Sequence, residues 1–251
     1  MRLKKEIDET LDMYIRKKSI EISPEKRNAA TQVMYKTLSF CSSMQWYEVE
    51  NVHRVQTPKE LLEIYTLRSK IYTNLGYNHE FPDAIHGLNF DHFDEHSLIL
   101  FTKVDNKISG TCRVIFDTQS KLPLDKNYSL DYLRQNNYSL AEVSRLIIAT
   151  DNKGLNMEFK FLTTGVYSAM IANDSYKLLS VIRKEHFSLY EKFGGFHIEA
   201  SLQSYGALNN EFVVTVWELA KISRFFKKVF LNGANNHLAS KGRDGLDKLA
   251  S

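Results

Sequence analysis

Two cysteines, Cys41 and Cys112, are all that the 251 residues carry. They form no CxxC and have no His/Cys cluster beside them. A disulfide scaffold and a structural zinc centre are therefore excluded, no metal is expected, and a reducing, cytoplasmic setting is. Proline (4) and glycine (11) are scarce, which excludes a long low-complexity linker. No apolar run reaches the roughly 18 residues of a membrane span, so no integral membrane segment is expected. The opening stretch, MRLKKEIDETLDMYIRKK, lacks the continuous apolar core of a secretory signal. GxGxxG, GxxxxGK[ST], GxSxG and HExxH are all missing. Dinucleotide oxidoreductases, P-loop NTPases, common serine hydrolases and zincins therefore drop out of the leading candidates.

What is present is an ordinary globular composition, 43% hydrophobic and 25% charged, rich in Phe (15) and Tyr (13). A chain of this length buries enough surface to hold a core unaided. The net charge is only +3, but it is uneven. Residues 221–251 hold seven Lys/Arg against two Asp, and residues 1–27 hold eight basic against six acidic. Basic ends serve as a solvated surface or as a dock for an acidic partner. Aromatics do not interleave with the basic residues, so nucleic acid is not expected.

Leu3, Ile7, Leu11 and Ile15 recur every four residues and predict an amphipathic helix ending before Ser23-Pro24. A second helix is expected from about Glu25 to Phe40. Together they read as an N-terminal helical appendage, residues 1–45, ahead of a core over 46–231 and a flexible tail over 232–251. YEVENVHRV (47–55) alternates as a strand. Thr57-Pro58-Lys59-Glu60 carries a capping Thr, a first-turn Pro and a reaching Glu, so a helix starts there and runs to Gly76. Residues 77–96 read as a long loop, a length that is often functional. Strands are expected at 97–104 and 107–116 around the turn Asp105-Asn106. After an irregular stretch come strand 141–149, helix 155–173, strand 177–183, helix 184–194, strands 196–201 and 211–219, and a basic terminal helix. The pattern is a mixed α/β (α+β) layer fold.

The informative residues are charges among apolar neighbours. Arg68 sits on a helix face built for burial. Asp91 and Asp94 lie in NFDHFDEHS, Arg113 in a strand, and Glu142 and Arg145 in the apolar strand AEVSRLII. Burying such charges unpaired is costly, so the plainer reading is one structural ion-pair network. Glu142 and Arg145, three apart, face one pocket only if their strand is bulged.

In order and spacing the set resembles a family. Arg68 with Tyr72, then D-x-x-D (Asp91, Asp94), then G-x-x-R (Gly110 to Arg113), then E-x-S-R (Glu142, Ser144, Arg145) resembles the acyl-homoserine-lactone synthases. It is still more similar to their relatives, the N-acyl amino acid synthases that make long-chain acyl-tyrosines. The similarity covers about residues 60–200. The lactone synthases carry a Trp where this chain reads NLGYNHEF, with Tyr77. HFSLYEKFGGF (186–196) is similar to the Y-x-K-x-GF helix end of ordinary Gcn5-related acyltransferases and of the acyl amino acid synthases.

The resemblance implies a Gcn5-related N-acyltransferase fold, with a mostly antiparallel sheet whose central strands splay. It implies transfer of a fatty acyl chain from a phosphopantetheine thioester to an amine, with no permanently bound cofactor. The donor is acyl carrier protein or coenzyme A. ATDNKGLNMEF (149–159) shows no clear pyrophosphate loop, which leans toward carrier protein as partner. Both departures favour an amino acid acceptor over S-adenosylmethionine. The rivals are a lactone (autoinducer) synthase, a small-acyl transferase using acetyl-coenzyme A, and a non-catalytic binding module.

Thioester aminolysis needs a base for the amine: Glu142, or else Glu142 is a salt-bridge partner of Arg113 or Arg145. It needs donors for the oxyanion, which main-chain N–H groups near Leu146, Ile147 and Ile148 can supply. Tyr190 matches the family's acid for the leaving thiolate, or is a core aromatic. His186, one turn earlier, binds the acceptor or pantetheine, or is a surface histidine. Arg68, Arg113 and Arg145 are eligible for the acceptor carboxylate, with Tyr72, Asp91 and Asp94 beside them. Phe159, Phe161, Leu162, Tyr167 and Met170 suit an acyl tunnel or plain helix packing. Lys153, Lys160, Arg183, Lys184 and the C-terminal lysines suit a dock for an acidic carrier protein.

Overall fold

A computed structural model describes residues 2–118, 121–135, 139–149 and 157–242. Two helices, α1 (Arg2–Lys18) and α2 (Pro24–Ser43), form an antiparallel pair. Their inner residues Ile7, Leu11, Met34, Leu38 and Cys41 are fully buried in the same cluster as the sheet, so the hairpin shares the core. Ser23 caps α2 by accepting from Lys26 N–H, and Arg27 ties the pair together through Asp12 at 2.7 Å. The strand expected at 47–55 shrinks to β1 (His53–Arg54), because Asn51 adopts a left-handed turn at φ +60 that breaks the alternation. Helix α3 (Pro58–Asn74) starts on the capping box read from its sequence, Thr57 with Glu60.

Strands β2 (Ser97–Val104) and β3 (Lys107–Phe116) form the expected hairpin, with Asp105 and Asn106 both at positive φ. A short helix α4 (Asp131–Arg134) precedes β4 (Leu140–Ile148). Helix α5 (Met157–Ala172) and β5 (Lys177–Arg183) follow. The helix expected at 184–194 is a 3₁₀ turn leading into α6 (Phe187–Glu191), and β6 (Phe196–Leu202), β7 (Phe212–Glu218) and α7 (Arg224–Phe230) complete the order. Asn235 and Leu238, in the segment read as a flexible tail, are buried, so packing continues past Asn232.

The sheet order is β1-β2-β3-β4-β5-β7-β6, with every pair antiparallel except β4 and β5. That parallel pair is joined only from Leu140 to Glu142, against Lys177 to Leu179. Beyond Glu142 the two strands part. β4 stays with β3, and β5 stays with β7 along its whole length. The fold is therefore the mixed, mostly antiparallel sheet with splayed central strands anticipated above.

Gly110 faces Leu162 of α5, whereas Arg113 bonds Asp91. Three residues apart on a regular strand, they point to opposite faces, so α5 and the Asp91 turn lie on opposite sides of the sheet. The α6–β6 turn is locked by Gly194 at φ +74, whose carbonyl accepts from Trp217 Nε1 at 3.0 Å. A Cβ there would sit 2.6 Å from Ser223 N and 2.7 Å from Lys221 O. Gly194→Ala is therefore expected to cost at least about 1–3 kcal/mol, read as a lower urea midpoint at unchanged slope.

Candidate active site

The parting of β4 and β5 opens a cavity of about 800 Å³. Its walls come from both faces of the sheet: Tyr72, Asp91 and Arg113 on one, Phe159, Leu162 and Val166 on the other. One end is thus polar and charged. The other is apolar, closed in by Tyr190, Phe193, Phe196 and Trp217.

At the polar end, β4 carries an irregularity. Thr111 pairs with Ile147 but Arg113 pairs with Ser144, so β4 has one residue more than β3 across that interval. Arg145 absorbs the extra residue at φ +54. The bulge puts Glu142 and Arg145 into one cavity despite their spacing of three.

Asp91 is the hub. Its Oδ1 accepts from Arg113 at 2.6 Å and from Phe93 N–H at 2.9 Å, and its Oδ2 accepts from Arg145 at 2.9 Å. Burial works against the Asp91 charge, but the two guanidinium groups outweigh it and hold the carboxyl far below its usual range. Arg113 also donates to Ser144 Oγ at 2.8 Å. Arg145 lies 5.1 Å from the centre of the Tyr72 ring and 4.2 Å from that of Phe81, and its Nη1 is buried without a hydrogen-bond partner. Arg68 pairs with Asp94 at 2.8 Å, both fully buried, and neither lines the cavity. The sequence-derived network therefore joins five of its six members, and two of those five stand behind the wall rather than in it.

Glu142 is the member left out. It pairs with neither Arg113 nor Arg145; its Oε2 accepts from Leu124 N–H at 2.9 Å. Burial, only partly offset by that N–H and by the Arg113 charge, pushes its carboxyl up to about 7. A buried carboxylate near neutrality, facing a cavity, is suited to take a proton from an amine.

Main-chain donors follow from ladder alternation. Asp117 N–H bonds Leu140 C=O at 2.9 Å and Ala149 N–H bonds Ser109 C=O at 2.7 Å. Alternation from these two points turns the Ile147 amide toward β3 and the Ile148 and Val143 amides toward the gap. Leu146 lies at the bulge and lines the cavity. Tyr190 lines the apolar end among Phe159, Phe193 and Phe196, and burial pushes its hydroxyl up to about 12, so it stays a proton donor at working pH. His186 is exposed at the cavity mouth. Of the residues offered for an acyl tunnel, Phe159 and Leu162 line the cavity. Phe161, Tyr167 and Met170 do not, because α5 turns Leu162 and Val166 to the gap and sends Tyr167 against Trp217 and Phe226. Arg183 reaches the mouth and Lys184 pairs with Glu211 at 3.0 Å. Lys153 and most of the stretch 149–159, which carries no clear pyrophosphate loop in its sequence, lie outside the described residues. Burial pushes both cysteine thiols up to about 12, and neither lines the cavity. No group of metal-binding side chains occurs among the described residues.

Two elements of the wall and one partner of Glu142 carry no signal in the sequence. Tyr205 and Leu208, from the β6–β7 hairpin, close over the polar end. Glu80 fastens that hairpin by accepting from Ala207 N–H at 2.6 Å. The Leu124 amide is main chain and leaves no mark in a sequence.

The family model for the N-acyl amino acid synthase FeeM matches residues 63–217. The chain belongs to the FeeM N-acyl amino acid synthase family. It is accordingly an acyltransferase. Among solved structures, FeeM itself, an N-acyl amino acid synthase from uncultured soil microbes, is 18% identical with a TM-score of 0.56, over 72% of this chain and 94% of that one. The acyl-homoserine-lactone synthase LasI is also 18% identical, with a TM-score of 0.51 over 71% and 92%. The coenzyme-A-dependent lactone synthase BjaI, solved with S-adenosylmethionine and isopentyl-CoA, is 15% identical with a TM-score of 0.52 over 72% and 83%. At these identities the structures support the fold. No curated protein sequence matches the chain. No described helix is long and apolar enough to cross a membrane.

Proposed function

We propose that this member of the FeeM family transfers a fatty acyl chain from the phosphopantetheine thioester of acyl carrier protein to the amine of an amino acid. The observation that carries the reading is the cavity through the parted strands, with Glu142 and Arg145 at one end and a wall of aromatics at the other. Glu142 takes the amine proton, directly or through a water. The amine attacks the thioester carbon, and the oxyanion meets the gap-facing amide of Ile148, with the bulge amide of Leu146 beside it. The collapsing intermediate expels the thiolate, which takes a proton from the Tyr190 hydroxyl. The orphaned Nη1 of Arg145 is the donor left for the acceptor carboxylate, while Nη2 holds Asp91. The acyl tail lies between Leu162, Val166 and Trp217.

The test offers the purified protein a long-chain acyl thioester, on carrier protein or on coenzyme A, with either mixed amino acids or S-adenosylmethionine. Mass spectrometry is expected to find N-acyl amino acid from the carrier-protein donor. An acyl-homoserine lactone as the product, or no transfer to any amino acid, would overturn the reading. Val166→Phe fills the apolar end. It is expected to lower kcat/KM for the longest accepted chain about tenfold while sparing short chains, as a chain-length series would measure.

A further inference from the structure

The segment between β3 and β4 is built around one side chain. The Arg134 guanidinium takes two carboxylates at once. Its Nε and Nη2 reach Asp117 at 2.7 and 3.0 Å, and its Nη1 and Nη2 reach Asp125 at 2.7 Å each. Asp117 follows directly on β3. Asp125 lies in the 3₁₀ turn Pro123–Lys126, and its Oδ2 also accepts from Leu122 N–H at 2.8 Å. Arg134 therefore fastens that turn to the end of β3, and the turn presents Leu124 N–H to the Glu142 carboxylate at 2.9 Å. Leu122, Leu124, Leu130 and Leu133 pack beneath as a small second core, so the segment has its own apolar support.

We propose that Arg134 is a positioning residue for the catalytic step: it holds the Leu124 amide on Glu142 and so sets how readily that carboxylate accepts the amine's proton. The proposal rests on Glu142 being the base. Arg134 does not line the cavity and touches no substrate.

The charges facing Glu142 are Arg113 from β3, Asp91 from the loop before β2, and Asp125 from the turn, with Arg145 on its own strand and Tyr205 from the β6–β7 hairpin. Releasing Arg134 acts on this set in one direction. The carboxylate loses a hydrogen bond to its charged form, and Asp125 loses the guanidinium that neutralises it. Both changes disfavour ionised Glu142.

Arg134→Ala is expected to move the acid limb of the kcat/KM profile up by about one pH unit. Activity at pH 7 then falls about fivefold and is recovered near pH 9. Arg134→Lys, which keeps the charge but not the fork, is expected to fall between, and serves if the alanine variant does not fold. A structural role alone would scale activity down at every pH, and a limb that does not move overturns the proposal. A carbon-13 titration of labelled glutamate carboxyls, with the Glu142 signal assigned by its loss in Glu142→Gln, reads the same shift without turnover. An unshifted Glu142 signal in the Arg134 variants overturns the proposal. Retained activity in Glu142→Gln would instead sink the assignment of the base, and the titration would still judge Arg134.

Discussion

Glu142→Gln is expected to lose about 10²- to 10⁴-fold in kcat while gaining stability at pH 8. The two effects share one cause. Burial raises the carboxyl from the ordinary 4.5 to about 7, so the folded protein binds that proton more tightly than the unfolded chain does. The stability linked to the proton is fully present below about 4.5 and is lost as pH rises through about 7. Above that window the ionised glutamate costs the fold roughly 3 kcal/mol, a cost that glutamine does not carry. Glutamine also keeps an oxygen for Leu124 N–H. Denaturant melts of the two proteins should therefore diverge at pH 8 and converge near pH 5, while the parent enzyme's kcat/KM falls about tenfold per unit below its limb. An active glutamine variant would remove Glu142 from the chemistry. Equal stability at pH 8 would show that its carboxyl is not raised.

Arg68→Met is expected to have the largest effect on folding, about 3–5 kcal/mol. Arg68 and Asp94 are both wholly buried, and removing the cation leaves Asp94 with Asp91 N–H at 3.0 Å and Arg113 at 3.4 Å. Adding Asp94→Leu should recover much of the loss, because no ion then remains buried alone, although Asp94 also closes the capping box that shapes the Asp91 turn. Urea titrations of the single and double variants measure both terms. Because Arg68 lies outside the cavity wall, the Michaelis constant for the acceptor should change far less than the stability does. A large rise in that constant with unchanged stability would return Arg68 to the substrate.

Much of the architecture was legible because its signals are local. The capping box at Thr57, the Asp105-Asn106 hairpin and the strands at 97–104, 107–116 and 177–183 each follow from neighbours in sequence. The strand read at 47–55 failed because alternation says nothing of a left-handed turn at Asn51. The charged set was legible as a set, since apolar strands do not carry Arg and Glu without reason. How it divides was not. Arg68 and Asp94 back the wall while Asp91, Arg113 and Arg145 form it, a distinction of depth that spacing does not encode. The spacing of Glu142 and Arg145 did require a bulge if they were to share a pocket, and the bulge is there. Glu142's partner escaped notice because it is an amide eighteen residues away, with no side chain to betray it.

The brevity of the β4–β5 pairing also bears on solubility. Two neighbouring strands that part after Glu142 create an edge in the middle of a sheet, and exposed edges normally invite strands from other molecules and begin aggregates. Here the vacant lane is walled by α5 on one side and by the Asp91 turn and the β6–β7 hairpin on the other, which cover the edge as a helix or loop covers an outer strand. On the function proposed above, the amides left free in that lane serve the slender pantetheine arm of the donor rather than a neighbouring molecule's strand.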